Sequence, residues 1–199
     1  MTRRTRAEMM EETRRKLVAS ARAAFAEKGF ANTSMDDLTA AAGLTRGALY
    51  HNFGDKKGLF AAVVDQIDAE MAARARTLAE AEPTTWDALL AEGSAYIEMA
   101  LDPEVQRIVL RDGPAVLGDP AHWPSQNRCL DATRAAVAAL LAQDVLRPVD
   151  VEAASRLLNG AALNAALWVA ACEDPSVTLP KAQEAFRMLA EGLQAEHAR

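Results

Sequence analysis

A chain of 199 residues, 50% hydrophobic and 25% charged, is long enough for one well-packed domain or for a small unit fused to a medium one. Abundant Ala with only 10 Gly and 8 Pro favours helices over sheets; no run approaches the roughly 20 apolar residues that span a bilayer, and the charged residues 1–16 lack the apolar core of a signal peptide, so a cytoplasmic protein is expected. The net charge of -6 is unevenly divided: residues 1–60 carry 11 Lys and Arg against 7 Asp and Glu, while residues 61–199 carry 11 against 21, which either suits the first segment alone to a polyanion or merely solvates its surface.

Over residues 6–28, Leu17, Ala21, Ala24 and Phe25 recur at three- and four-residue spacing, predicting an amphipathic helix closed by Gly29. Ser34 is followed three residues later by Asp37, a reciprocal cap for a helix starting near Met35. That helix is short, because Gly43 suits the left-handed conformation of a sharp turn. Leu44 is expected to be buried in the turn. Thr45 then caps a second short helix through Ala48, Leu49 and Tyr50 to Phe53, and the pair makes a helix-turn-helix. After Gly54, Asp55 caps a long helix over residues 56–81, with Leu59, Phe60, Val63, Val64 and Ile67 along it.

Glu82-Pro83-Thr84-Thr85 marks the junction with a body that reads as helix throughout, over residues 86–101, 104–110, 124–142, 151–172 and 180–195. Breakers stand at residues 112–114 and 118–120. The expected organisation is all-α with about nine helices: a helix-turn-helix head at residues 1–60, the linking helix 56–81, and a regulatory unit at residues 82–199.

At the start of the second short helix, Thr45, Arg46, Gly47 and Ala48 are the side chains a recognition helix places at base edges in the major groove. Arg46 is the best reader, since its forked guanidinium matches the two acceptors of guanine. Gly47 fits close backbone approach to DNA, although a merely structural Gly is the alternative. Lys56, at a helix N-terminus, suits a phosphate, and Ser34 or Thr33 is a candidate for the same role at the preceding helix. Arg3, Arg4 and Arg6 read either as an arm reaching an adjacent groove or as a solvated terminus.

The segment from Thr33 to Phe60 closely resembles the DNA-binding signature of the TetR/AcrR family, with the resemblance dense over residues 12–60. It implies an all-helical homodimer whose N-terminal head binds a double-stranded DNA operator and whose body binds a small-molecule effector. It also implies a phosphate contact for Tyr50, with His51 beside it; packing is the alternative for Tyr50 and the preferred role for Phe53. The chain departs from the family's common pattern at Asn52, where many members carry His.

In the body, Tyr96, Met99, Leu110, Trp123, Asn127, Asn164 and Trp168, with Trp86, Arg111 and Asp112 nearby, suit either a ligand pocket or an ordinary core. Asn127 and Asn164 are the more telling, because a buried amide demands a partner. The stretch 108–118 resembles one subgroup of the family. The last two helices are apolar on more than one face and must be covered on most sides. The resemblance implies that they pair with a second subunit through Leu158, Ala162, Ala165, Val169, Phe186, Leu189 and Leu193.

Cys129 and Cys172 form no CxxC or His-rich cluster, so neither metal nor cofactor is expected; they read as small helix residues, with redox sensing the alternative. His51, His122 and His197 stand in no evident catalytic arrangement. The expected function is a transcriptional repressor released by an effector. The alternatives are an effector-independent architectural or protein-interaction factor and a helical enzyme.

Overall fold

The computed structural model describes residues 5–196. Arg3, Arg4 and His197 lie outside the described residues, and Arg6 is the first residue of helix α1, Arg6–Lys28, rather than part of an arm. Thr5 caps α1 in a reciprocal box with Glu8, and Gly29 at φ 75° ends it. The turn-rich head follows as predicted. Ser34 and Asp37 cap α2, Met35–Ala41, reciprocally, and Gly43 at φ 65° reverses the chain. Leu44 is half-buried in that turn. Thr45 then accepts from the Ala48 N–H at the start of α3, Arg46–Phe53.

The head's core is local. Leu17, Ala21 and Phe25 of α1 meet Leu38 and Leu49, all fully buried, against Leu59 and Phe60 at the start of α4, Lys56–Glu80. Phe60 stacks edge-on to Phe25 and Phe30, with ring centroids 5.1 and 5.0 Å away. Such rings add about 0.5–1.5 kcal/mol beyond the area they bury. Phe53 is half-buried under the Arg14 guanidinium, 4.7 Å above its ring, which is a packing role.

Helix α4 runs on into the body, where it packs against α5, Thr85–Glu98, and α7, Pro124–Ala142. Helix α5 packs in turn on α8, Val151–Ala171, and α9, Pro175–Glu191. Between α5 and α7 the chain departs from simple helices. A 3-10 turn at Met99–Leu101 tightens the end of α5, residues Val105–Asp112 form a π-helical stretch where an α-helix over 104–110 was expected, and a short α6, Gly113–Leu117, follows. Ile97, Ile108, Val109, Val137, Leu140 and Val169 fill the body core.

The expected start of the last helix at residue 180 moves upstream. Asp174 accepts from the Ser176 and Val177 N–H groups, and Pro175 occupies the first turn, where its missing N–H costs nothing; Pro180 falls inside the helix. Beyond α9 the chain doubles back: Arg147 N–H donates to the Leu193 carbonyl and Ala195 N–H to that of Val145, each at 2.9 Å. This antiparallel bridge ties half-buried Leu193 to the α7–α8 link.

Candidate DNA interface and ligand cavity

Helix α3 presents Thr45, Arg46, Gly47, Tyr50 and His51 to solvent on one side and buries Leu49 on the other. Ala48 is half-buried beneath them. Tyr50 is 54% exposed, so it does not pack the head. A methyl group added at Gly47 would meet nothing nearer than the Thr45 hydroxyl at 3.7 Å, so packing does not demand Gly there. Asn52 donates to the Ala48 carbonyl at 2.7 Å and so braces α3 from within.

Arg46 is not free. Its Nε and Nη2 donate to the two carboxylate oxygens of Asp36 on α2, both at 2.5 Å, a fork-to-fork pair that fixes the plane of the guanidinium while its remaining N–H groups face outward. The pairing lowers the Asp36 pKa and raises that of Arg46. Sequence reading missed Asp36 because nothing in the spacing of residues 36 and 46 pairs them until the Gly43 turn folds α2 against α3.

One anchoring alternative is corrected, and a second residue is placed more closely. Thr33 is buried, its hydroxyl donating to the Gly29 carbonyl at 2.8 Å, so it cannot meet a phosphate. Lys56 folds its ammonium over the Phe30 ring, 4.2 Å from the centroid, and burial lowers its pKa. Lys57, next to it, is exposed. Ser34 is exposed, with its hydroxyl accepting from the Asp37 N–H at 3.0 Å.

The body holds a cavity of about 50 Å³ between five helices. Ala72 and Ala75 face it from α4, Leu89, Glu92, Gly93 and Tyr96 from α5, Gln126, Cys129 and Thr133 from α7, Leu158, Asn159 and Ala162 from α8, and Phe186 from α9. Gly93 exists to admit Phe186: a methyl group there would lie 2.3 Å from the ring's Cζ. Behind the cavity Asp68 accepts from the Ser125 hydroxyl at 2.5 Å, and the Gln126 amide nitrogen lies 3.4 Å from both Asp68 and the Tyr96 hydroxyl. Thr133 donates to Asn159 at 2.8 Å. Burial raises the pKa of Asp68 and of Glu92, and pushes the Cys129 thiol up to about 11, so it is no thiolate at neutral pH.

Of the expected pocket residues, Tyr96 alone lines this cavity. Met99, Leu110 and Trp123 are core. Asn127, Asn164 and Trp168 face solvent, so the argument from buried amides fails for the first two; Asn159 is the amide at the cavity wall. The expected interface residues divide likewise. Leu158, Ala162, Val169 and Phe186 are buried within the chain, three of them at the cavity, and Ala165 is half-buried. The outward face of α8 and α9 is instead Leu157, 74% exposed, Gly160, Asn164 and Trp168, with Met188 and Leu189.

Head and body also meet away from α4. Arg22 of α1 donates through Nε and Nη2 to Glu104 at 2.8 and 2.7 Å, and through Nη1 to Glu70 of α4 at 2.8 Å. The Phe30 N–H donates to Asp112 at 2.7 Å.

Residues 86–193 match the family model described as tetracyclin repressor-like, C-terminal domain, and residues 17–63 that of bacterial regulatory proteins, tetR family. A crystal structure of a TetR-family transcriptional regulator from Pectobacterium atrosepticum is 49% identical, covers 97% of this chain and 99% of its own, and superposes with a TM-score of 0.85. The transposon Tn10 TetC protein of Escherichia coli is 28% identical over 158 residues, 77% of this chain and 78% of its own length. The HTH-type transcriptional repressor AcnR of Corynebacterium glutamicum is 40% identical over 60 residues, 30% of this chain and 32% of its own. With both units matched in their own places and a close structural relative spanning nearly the whole length, the chain belongs to the TetR family of DNA-binding transcriptional regulators.

Proposed function

We propose that the chain is a cytoplasmic, homodimeric repressor, not an enzyme, that leaves a roughly palindromic operator when a small molecule enters the cavity between α4, α5, α7, α8 and α9. The observation that carries this reading is the course of α4: its first turn closes the core of the DNA head, and Ala72 and Ala75 further along it wall the cavity. A ligand that outgrows the cavity presses on its walls, α4 among them. A coupling of about 1–3 kcal/mol between cavity and head would change operator affinity about 5- to 150-fold.

On this reading residues 1–60 are the DNA unit and residues 82–199 the regulatory unit, joined by α4. Thr45, Arg46, Gly47 and Ala48 meet base edges, while Ser34, Tyr50, His51 and the first turn of α4, with Lys56 and Lys57, position the backbone. The apolar outer face of α8 and α9, centred on Leu157, Trp168, Met188 and Leu189, meets its equivalent in a second copy and brings two heads to successive major grooves about 34–36 Å apart.

Electrophoretic mobility shift with the DNA upstream of the protein's own gene tests the DNA half. The double variant Arg46→Ala, Tyr50→Ala is expected to lose the shift; undiminished binding refutes the assigned surface. Release of the shifted complex by an extract's small-molecule fraction tests the effector half, and an unmoved complex argues for an effector-independent factor.

A further inference from the structure

The cavity carries the wrong charge for an acidic ligand. Among the described residues no Lys, Arg or His lines it, while Glu92 does, and Glu92 has neither a hydrogen bond nor an ion pair with any of them. A half-buried carboxylate without a partner is costly, since the protein interior replaces its hydration only in part. The cation whose charge reaches it, Arg76 of α4, is exposed and makes no ion pair with it. Asp68 lies one layer behind. The neighbouring acids register the same field: besides burial, Asp68 and Glu92 both raise the Cys129 thiol, and Asp68 raises the Tyr96 phenol.

The rest of the lining is apolar or aromatic. Leu89, Leu158 and Ala162 suit hydrocarbon, and the rings of Phe186 and Tyr96 offer faces of negative potential. We infer that the effector is a small organic cation, an ammonium or amidinium group on an aromatic or aliphatic body, with Glu92 as its counter-ion. The inference rests on the cavity being the effector site. An ammonium there supplies the donor that Glu92 lacks and recovers part of the cost of burying it. A carboxylate or phosphate would face Glu92 and Asp68 with no cation in the wall.

The test uses the full chain and three probes of one shape: 2-phenylethylamine, 2-phenylethanol and phenylacetate. Binding is read by the thermal shift and by release of operator DNA. The amine is expected to bind about tenfold or more tightly than the alcohol, the usual worth of a hydrogen bond to a charged group, and phenylacetate not at all. In Glu92→Gln, which keeps the shape, the amine should fall to the level of the alcohol while alcohol binding persists as the sign of an intact cavity. Phenylacetate binding as tightly as the amine, or an amine advantage that survives Glu92→Gln, overturns the inference while leaving the cavity as the site. Binding of no probe at millimolar concentration, or amine binding that survives filling the cavity by Ala72→Leu, removes the cavity as the effector site and the inference with it.

Discussion

Replacing Glu104 with Gln should loosen the head from the body without touching either the DNA surface or the cavity. The Arg22 and Glu104 side chains are only 24% and 27% exposed and meet through two parallel hydrogen bonds, whereas Glu70, the third partner, is half exposed. Exposed ion pairs contribute about 0–1 kcal/mol, and breaking fully buried ones costs about 3–5 kcal/mol. Gln retains the side chain's length and one carbonyl acceptor, and Arg22 keeps Glu70, so a loss of about 1–2 kcal/mol follows from the intermediate burial. For a chain of this size that lowers the melting temperature by about 2–8 °C. Calorimetry of wild type, Glu104→Gln, Asp112→Ala and the double variant measures the loss and whether the two ties between head and body act together. The same variants should bind operator but answer an effector less strongly, because the body's movement reaches the head through one tie fewer. A Glu104→Gln protein that melts with the wild type and is released from DNA at the same ligand concentration would sink the idea of a latch.

Four further outcomes follow. Burial raises the Asp68 pKa above its ordinary 3.8, so the folded chain holds that proton more tightly than the unfolded one. Its contribution to stability therefore grows as pH falls through the raised value and levels off near the ordinary one, and Asp68→Asn should flatten that part of a melting-temperature profile. Gly93→Ala drives a methyl into the Phe186 ring and should cost about 1–3 kcal/mol in urea unfolding, with Phe186→Leu on the same background recovering part of it. Trp168→Glu with Leu189→Glu should yield a monomer in analytical ultracentrifugation and weaken operator binding by about 100-fold or more through lost bivalency; a dimer of unchanged affinity would place the interface elsewhere. Asp36→Ala unties Arg46 and should broaden base preference in selection from a randomised operator while leaving the melting temperature nearly unchanged.

The head was legible because each of its instructions acts within a few residues. Ser34 and Asp37 cap each other three positions apart, Gly43 takes φ 65° on its own, and Thr45 caps the Ala48 N–H. The body's site resisted for the opposite reason. Helix α8 is apolar on more than one face, and periodicity alone does not say which of them turns inward. Leu158 was assigned to a partner and lines the cavity, while its neighbour Leu157 is the exposed one; Asn159 faces the cavity and Asn164 the solvent. Choosing the wrong side of α8 moved Leu158, Ala162 and Val169 from cavity and core to interface, and the same choice on α9 moved Phe186. The cavity itself draws on five helices, so no local spacing marks it. The π-helical stretch 105–112 has no sequence signature, and the start of α9 was misplaced because Pro180 outweighed the stronger pair Asp174-Pro175.

Arg22 gives this arrangement its mechanical sense. It belongs to the head by its helix, to α4 by Glu70, and to the body's 99–112 segment by Glu104. A surface cleft lined by Arg22, Ile67, Glu70, Met71, Glu104 and Val105 lies beside this joint. Glu70 lies less than one turn before Ala72, and helix geometry makes the two move together. On the proposed reading, an effector that pushes Ala72 and Ala75 outward would move Glu70 as well, while Ile108 and Val109 hold the segment of Glu104 in the core. Arg22 cannot follow both. Each of its three bonds is already near 2.8 Å, so on that reading a displacement approaching 1 Å would break one arm and turn a graded expansion of the cavity into a discrete change in how α1 is held.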